Sequence, residues 1–199
     1  MKKLVLASNN AGKLREFGQL LSQRGIELVS QASLGVPDAD EPHVTFVENA
    51  LAKARHASRL TGLPALADDS GLCVTALADE PGVYSARYAA MNGGEKSDAA
   101  NNALLMARLK GHAQRAGRYV AVLALVRAEN DPQPLIGEGE WHGTLLEAPR
   151  GENGFGYDPY FFVPELGLTA AEMAPQEKNA HSHRGKALAI LLARLDAVS

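Results

Sequence analysis

A single cysteine, Cys73, is all the thiol the 199 residues offer. It excludes an internal disulfide framework, and its apolar neighbours suggest a buried thiol, so a reducing cytoplasm is the expected compartment. Long apolar runs are lacking too. The opening MKKLVLASNN starts like a secretion signal, yet its apolar run covers only Leu4 to Ala7 before polar Ser8 and Asn9. The late run Ala187 to Ala193 falls far short of the ~20 residues a bilayer crossing needs. Charge of one sign is also missing: a formal net charge of -3 gives no general attraction to nucleic acid or to an anionic membrane. Any phosphate binding must therefore rest on local placement of cations. No repeat, low-complexity tract or linker interrupts the chain. What is there, 46% hydrophobic and 22% charged residues, suits one globular core, so a single domain over residues 1–199, bilobed at most, is expected.

KLVLAS (3–8) reads as a strand and AGKLREFGQLLSQRG (11–25) as a helix whose Leu14, Phe17, Leu20 and Leu21 recur at helical spacing, with Gly25 at its end. IELVS follows as a second strand, and a right-handed parallel crossover is the default for strand, helix, strand. After the loop LGVPDADEPH, Thr45 and Glu48 stand three apart as a capping box requires, and Gly62 closes that helix. LPALADDSGL then predicts a buried strand ending at Asp68 and Asp69. DEPGVYSARYAAMNGG is expected to be a surface loop and EKSDAANNALLMARLKG a helix. RYVAVLALVRAE and PLIGEGEWHGTLL flank the turn NDPQP as an antiparallel hairpin. The last helix, GKALAILLARLDAV, sets Leu188, Leu191, Leu192 and Leu195 on one face. The pattern is α/β with a mixed sheet and flanking helices.

Four segments carry residue types suited to chemistry. SNNAGK, Ser8 to Lys13, lies where the first strand gives way to the first helix; N–H groups there attract anions, Ser8 and Asn10 add polar side chains and Lys13 a charge. It is no P-loop, because Ala7 and Leu14 stand where that motif needs Gly and Ser or Thr. The same residues also make an ordinary helix cap with an exposed lysine. Acids form the second group: Asp38, Asp40 and Glu41 in one loop, Glu48 on the next helix, Asp68 and Asp69 at a strand end. Mg²⁺ prefers a few carboxylates plus water and phosphate oxygens, while an Asp-Asp-Ser-Gly sequence is equally ordinary turn chemistry.

The third segment, GFGYDP (154–159), sets Phe155 and Tyr157 among glycines, so a flat ligand can approach, with Asp158 able to accept a hydrogen bond from a ring nitrogen or sugar hydroxyl. KNAHSHR, Lys178 to Arg184, is the fourth and is dense in donors. Its two histidines make a poor zinc site, and Lys178, His183 and Arg184 better suit phosphate or a base carbonyl.

Taken together, LASNNAGKLRE, TFVENALAKARHA, LADDSGL, PGVYSARYA, GFGYDPYF and SHRGKAL resemble, in this order and over nearly the whole chain, the inosine triphosphate pyrophosphatase family. The resemblance implies an elongated mixed β-sheet with flanking helices in two lobes around a central cleft, a homodimer, a Mg²⁺ requirement, and hydrolysis of ITP, dITP or XTP to the monophosphate and pyrophosphate. It implies Ser8, Asn9, Asn10, Ala11, Gly12 and Lys13 at the triphosphate, Glu41 and Asp69 at the metal, and Asp69 as general base. Ser70, Phe155, Gly156, Tyr157, Asp158, Lys178, His183 and Arg184 would contact substrate, with Phe155 stacked on the purine. Pro42 and His43 depart from the family pattern and put the aim of Glu41 in question, since proline restricts the residue before it. A nucleotide-binding module without catalysis would use the same residues; only the products tell the two apart.

Overall fold

The structure is a computed structural model that describes residues 2–198. One mixed sheet of seven strands has the order β2-β1-β3-β4-β5-β6-β7: β1 (Lys3–Leu6), β2 (Glu27–Ser30), β3 (Ala65–Val74), β4 (Ala116–Val126), β5 (Leu135–Leu145), β6 (Phe161–Val163) and β7 (Leu168–Thr169). The helices are α1 (Ala11–Ser22), α2 (Phe46–Thr61), α3 (Tyr88–Met91), α4 (Asp98–Arg108), α5 (Pro175–His181) and α6 (His183–Val198). The parallel pairing expected at the start is present: β1 pairs with β2 through Leu4↔Leu28 and Val5↔Val29, and with β3 through Val5↔Ala65. No helix among the described residues is long and apolar enough to cross a membrane.

Two compact units divide the chain, and β3, β4 and β5 each contribute to both. The first comprises residues up to Asp69, Val122–Gly137 and those from Leu188 on. Its interior holds Leu4, Val5, Leu6, Phe17, Leu21, Leu66 and Leu123, all essentially inaccessible, together with the predicted α6 face of Leu188, Leu191, Leu192 and Leu195. Burying each such side chain is worth roughly 1.5–3 kcal/mol. Thr45 caps α2 as its position requires: its hydroxyl accepts from Glu48 N at 3.3 Å and donates to Glu48 Oε2 at 2.5 Å, so Glu48 answers the hydroxyl and not the Thr45 N–H of a full capping box, and Gly62 ends the helix in the left-handed region. Helix α1 stops at Ser22, three residues before the glycine expected to end it, with Gln23 at its C-cap. The side chains of Ala11 and Leu20 lie outside the described residues.

The second unit, Ser70–Ala121 and Glu138–Ala187, has its own core. Leu72, Val74, Tyr88, Leu105, Trp141, Leu145, Tyr157 and Phe161 pack there. DEPGVYSARYAAMNGG is not the surface loop expected from its turn residues: it forms a 3₁₀ segment and α3, with Ser85, Tyr88 and Ala89 buried. Tertiary contacts override the local turn chemistry. The Ser85 hydroxyl accepts from Leu72 N at 2.9 Å and donates to Gly82 O at 2.6 Å, and a Cβ on Gly71 would stand 2.6 Å from that hydroxyl. Cys73 is buried, as expected, and burial pushes its thiol up to about 11.

Candidate functional site

In the first unit, the carboxylates of LADDSGL do not end a strand. Both β3 residues stand in mid-strand, Asp68 at 2% and Asp69 at 7% exposure, and the strand runs on through Gly71 to Val74. A turn at Asp-Asp-Ser-Gly is thereby excluded, and the charges must be matched inside the fold. Two lysines match them. Lys13 Nζ on α1 lies 2.8 Å from Asp68 Oδ2, and Lys53 Nζ on α2 lies 2.7 Å from Asp69 Oδ1 and 2.8 Å from Glu41 Oε1. Asp69 Oδ2 is buried with no hydrogen-bond partner among the described residues.

Electrostatics follow from this geometry. Burial raises the Asp69 pKa, and the neighbouring charges of Glu41 and Asp68 add to the rise, more than the ammonium of Lys53 takes back. For Lys53 burial works downward, but Asp69 and Glu41 outweigh it and the net shift is upward. Glu41, the residue before Pro42, directs its carboxylate to Lys53. The chain beyond Pro42 is fixed to α2 by His43 N donating to Asn49 Oδ1 at 3.1 Å and Asn49 Nδ2 donating to His43 O at 3.2 Å.

The SNNAGK segment is arranged differently from a bare N–H cradle. Asn10 caps α1, and its Oδ1 accepts from Gly12 N at 2.8 Å and Lys13 N at 3.1 Å, so two of the N–H groups expected to face an anion are taken. Ser8 Oγ accepts from Asn10 N at 3.2 Å. Asn9 Nδ2 donates to Asp38 Oδ1 at 2.8 Å, and the buried Gln31 donates to the same oxygen at 2.6 Å, which ties this loop to the acidic one. Glu48 is engaged with Thr45 as a cap partner, and Asp68 is the ion-pair partner of Lys13.

The second unit gathers most of the other expected residues. Asp158, at 3% exposure, accepts through Oδ2 from Lys178 Nζ at 2.5 Å and Phe155 N at 2.9 Å, and through Oδ1 from the Tyr119 hydroxyl at 3.2 Å. Lys178 Nζ also sits 5.1 Å from the centroid of the Phe155 ring, a cation–π distance. Phe155 itself is 58% exposed, an aromatic face open to stacking. Gly154 has φ +80°, and a Cβ there would stand 3.2 Å from Lys178 Nζ and collide with the Asp158 carboxylate. Gly156 N donates to Asp98 Oδ2 at 2.7 Å and its carbonyl accepts from Asn102 Nδ2 at 2.8 Å.

Tyr157 departs from expectation. Its ring is 3% exposed in the core and its hydroxyl donates to Ser85 O at 2.8 Å, so it offers no stacking face; the glycine on its N-terminal side lets the chain turn it inward. KNAHSHR is likewise no simple helix start: Lys178 and His181 end α5, Ser182 is extended, and His183 and Arg184 open α6. The two α6 residues are buried, with Arg184 Nη2 donating to Ser70 Oγ at 3.2 Å and the His183 ring stacked on Tyr119 at 4.8 Å and 11°.

Sequence reasoning missed three participants. Lys53 lay inside the quoted TFVENALAKARHA, but a lysine on an amphipathic helix looks like any solvated lysine until a carboxylate is placed beside it. Asp98 and Tyr119 carried no local signal. Among the described residues no group of three or more His, Cys, Asp or Glu side chains gathers as a metal cage.

A family model described as the Ham1 family matches residues 4–194. The chain is 66% identical over 197 residues to a dITP/XTP pyrophosphatase of Bordetella pertussis, covering 99% of this chain and 92% of that protein. It is 63% identical to a dITP/XTP pyrophosphatase of Ralstonia nicotianae, over 98% of this chain and 97% of that one. Among solved structures, a HAM1 protein from Coxiella burnetii superposes with a TM-score of 0.93 at 49% identity, over 99% of this chain and 100% of that chain.

Proposed function

The chain belongs to the Ham1 family, and on that premise we propose that it is a hydrolase of phosphoanhydride bonds that cleaves dITP, XTP and ITP to the monophosphate and pyrophosphate. One observation carries the assignment of the chemistry. Asp69 is a buried carboxylate with a raised pKa, one oxygen held by Lys53 and the other without a hydrogen-bond partner among the described residues. A general base needs an accepting lone pair and a pKa moved toward neutrality, and Asp69 has both.

Balance requires one water. As its oxygen bonds to the α-phosphorus, its proton passes to Asp69 Oδ2, and the bond to the bridging oxygen breaks with pyrophosphate leaving. Lys13 and Lys53 are the cations available to the phosphates, but both are already paired, and three carboxylates, Glu41, Asp68 and Asp69, stand against these two ammonium groups. The set is thus no positive pocket for a polyanion. The half-buried Glu41 carboxylate, beside Asp69 on Lys53, is a hard oxygen donor of the kind that suits a divalent ion such as Mg²⁺, which takes few protein ligands and keeps water and phosphate oxygens in its shell. Such an ion, when bound, would neutralise phosphate charge and polarise the α-phosphate. Because one oxygen cannot hold a cation and take a proton at once, Oδ2 is assigned to the proton and Glu41, beside Asp69, to the ion.

In the second unit, Phe155 offers the stacking face and Arg184 the donor toward a purine 6-carbonyl. A 6-amino group would oppose donor to donor, at about 1–3 kcal/mol per unpaired buried group. The homodimer and the cytoplasmic setting belong to the same proposal, the first read from the molar mass in solution. Product analysis tests the function: dITP, XTP, ITP and ATP are each incubated with the protein and Mg²⁺. Pyrophosphate and monophosphate from the first three are expected. Intact nucleotide, or diphosphate with orthophosphate, would overturn the proposal.

A further inference from the structure

Tyr119 touches two of the residues expected to contact substrate, Asp158 and His183. It lies on β4 at 8% exposure, its ring tilted against Phe161 at 4.6 Å and stacked nearly parallel on His183 at 4.8 Å. Were packing its whole role, a phenyl ring would serve as well, because a buried hydroxyl is costly unless it is bonded. The hydroxyl is bonded, and to a chosen partner: it donates to Asp158 Oδ1 at 3.2 Å.

Asp158 is in turn the hub of the Phe155 turn. Its Oδ2 takes Lys178 Nζ and Phe155 N, while Oδ1 takes Tyr119. Carboxylate torsions are broad and roughly two-fold, so donors on one oxygen leave the group free to rock; a donor on the second oxygen fixes its plane. One stiff side chain with two dihedrals thereby sets the plane of the His183 ring and the plane of the carboxylate that places Lys178 and the Phe155 turn. We infer that Tyr119 is a positioning residue for base recognition, acting through Asp158 and His183. The inference rests on the proposed function, since it concerns which purine is accepted.

Two variants separate the hydroxyl from the ring. Tyr119→Phe keeps the stack and deletes the bond; Tyr119→Leu removes both. Initial rates with ITP and with ATP are measured for wild type and both variants, with melting midpoints alongside. For Tyr119→Phe the KM for ITP is expected to rise about tenfold with kcat within about twofold, and the ITP-to-ATP ratio of kcat/KM to fall by a similar factor, the change that follows from losing one hydrogen bond to a charged group. Tyr119→Leu should move both quantities further; if it fails to fold, Tyr119→Phe decides alone. A Tyr119→Phe protein with wild-type KM and selectivity, whatever its melting midpoint, would reduce Tyr119 to a core residue and overturn the inference. Wild-type protein inactive on ITP would instead overturn the proposed function, and this inference with it.

Discussion

Replacing Lys53 by methionine keeps most of the side-chain volume on α2 and removes the ammonium shared by Glu41 and Asp69. Each carboxylate oxygen lies within 2.8 Å of the same nitrogen, so the two oxygens are no more than about 5.5 Å apart. With the cation gone, two like charges at that separation repel by about 3 kcal/mol at an effective dielectric constant near 20. The side chains are largely withdrawn from water, Asp69 at 9% and Glu41 at 26% exposure, so solvent relieves little of this. At about 2–4 °C per kcal/mol for a chain of this size, the melting midpoint should fall by roughly 6–12 °C at pH 8. The sign of the pH dependence is fixed. Mutual repulsion raises the folded-state pKa of the pair, and a raised pKa means stability that is present at low pH and lost as pH rises through it. The deficit against wild type should therefore shrink toward pH 5. Thermal unfolding by circular dichroism in chelator at both pH values reads it. A deficit of equal size at pH 5 and pH 8 would refute the electrostatic account and leave only lost packing. Adding Asp69→Asn to the variant should return most of the lost midpoint, since one of the two charges is then gone.

Asp69→Asn by itself should lower turnover of ITP at least about 10²-fold, the contribution of a positioned base. A variant with near-wild-type turnover would remove Asp69 as base. Phe155→Ala should leave stability within about 0.5 kcal/mol, because the ring is 58% exposed. Its KM for ITP should rise by the roughly 5- to 150-fold that a lost base stack of about 1–3 kcal/mol implies. Unchanged KM with a fall of several degrees in melting midpoint would show the ring to be structural.

Where local rules sufficed, sequence reading held. The Thr45 cap on α2, the left-handed Gly62, the parallel β1–α1–β2 opening and the leucine face of α6 each depend on neighbours within a few residues or on one periodicity. It failed where distant contacts reverse a local preference. Asp-Asp-Ser-Gly is turn chemistry, yet β3 passes through it, because Lys13 and Lys53 arrive from two helices to meet the charges. Tyr157, beside a glycine, looks like a stacking residue, but the core behind it and the Ser85 carbonyl claim it.

The amino-acid order alone determined which residue types were available: acids in two segments, a lysine near the first helix start and another midway along the second helix, an aromatic among glycines, donors ahead of the last helix. It also bounded the class, since strand and helix periodicities are local properties. Only the tertiary structure decided pairing. Which lysine answers which carboxylate, that one oxygen of Asp69 has no hydrogen-bond partner among the described residues, and that Tyr119 reaches Asp158 across 39 positions are matters of distance in space. Charge and hydrogen-bond energies depend on that distance and on burial, neither of which is written along the chain.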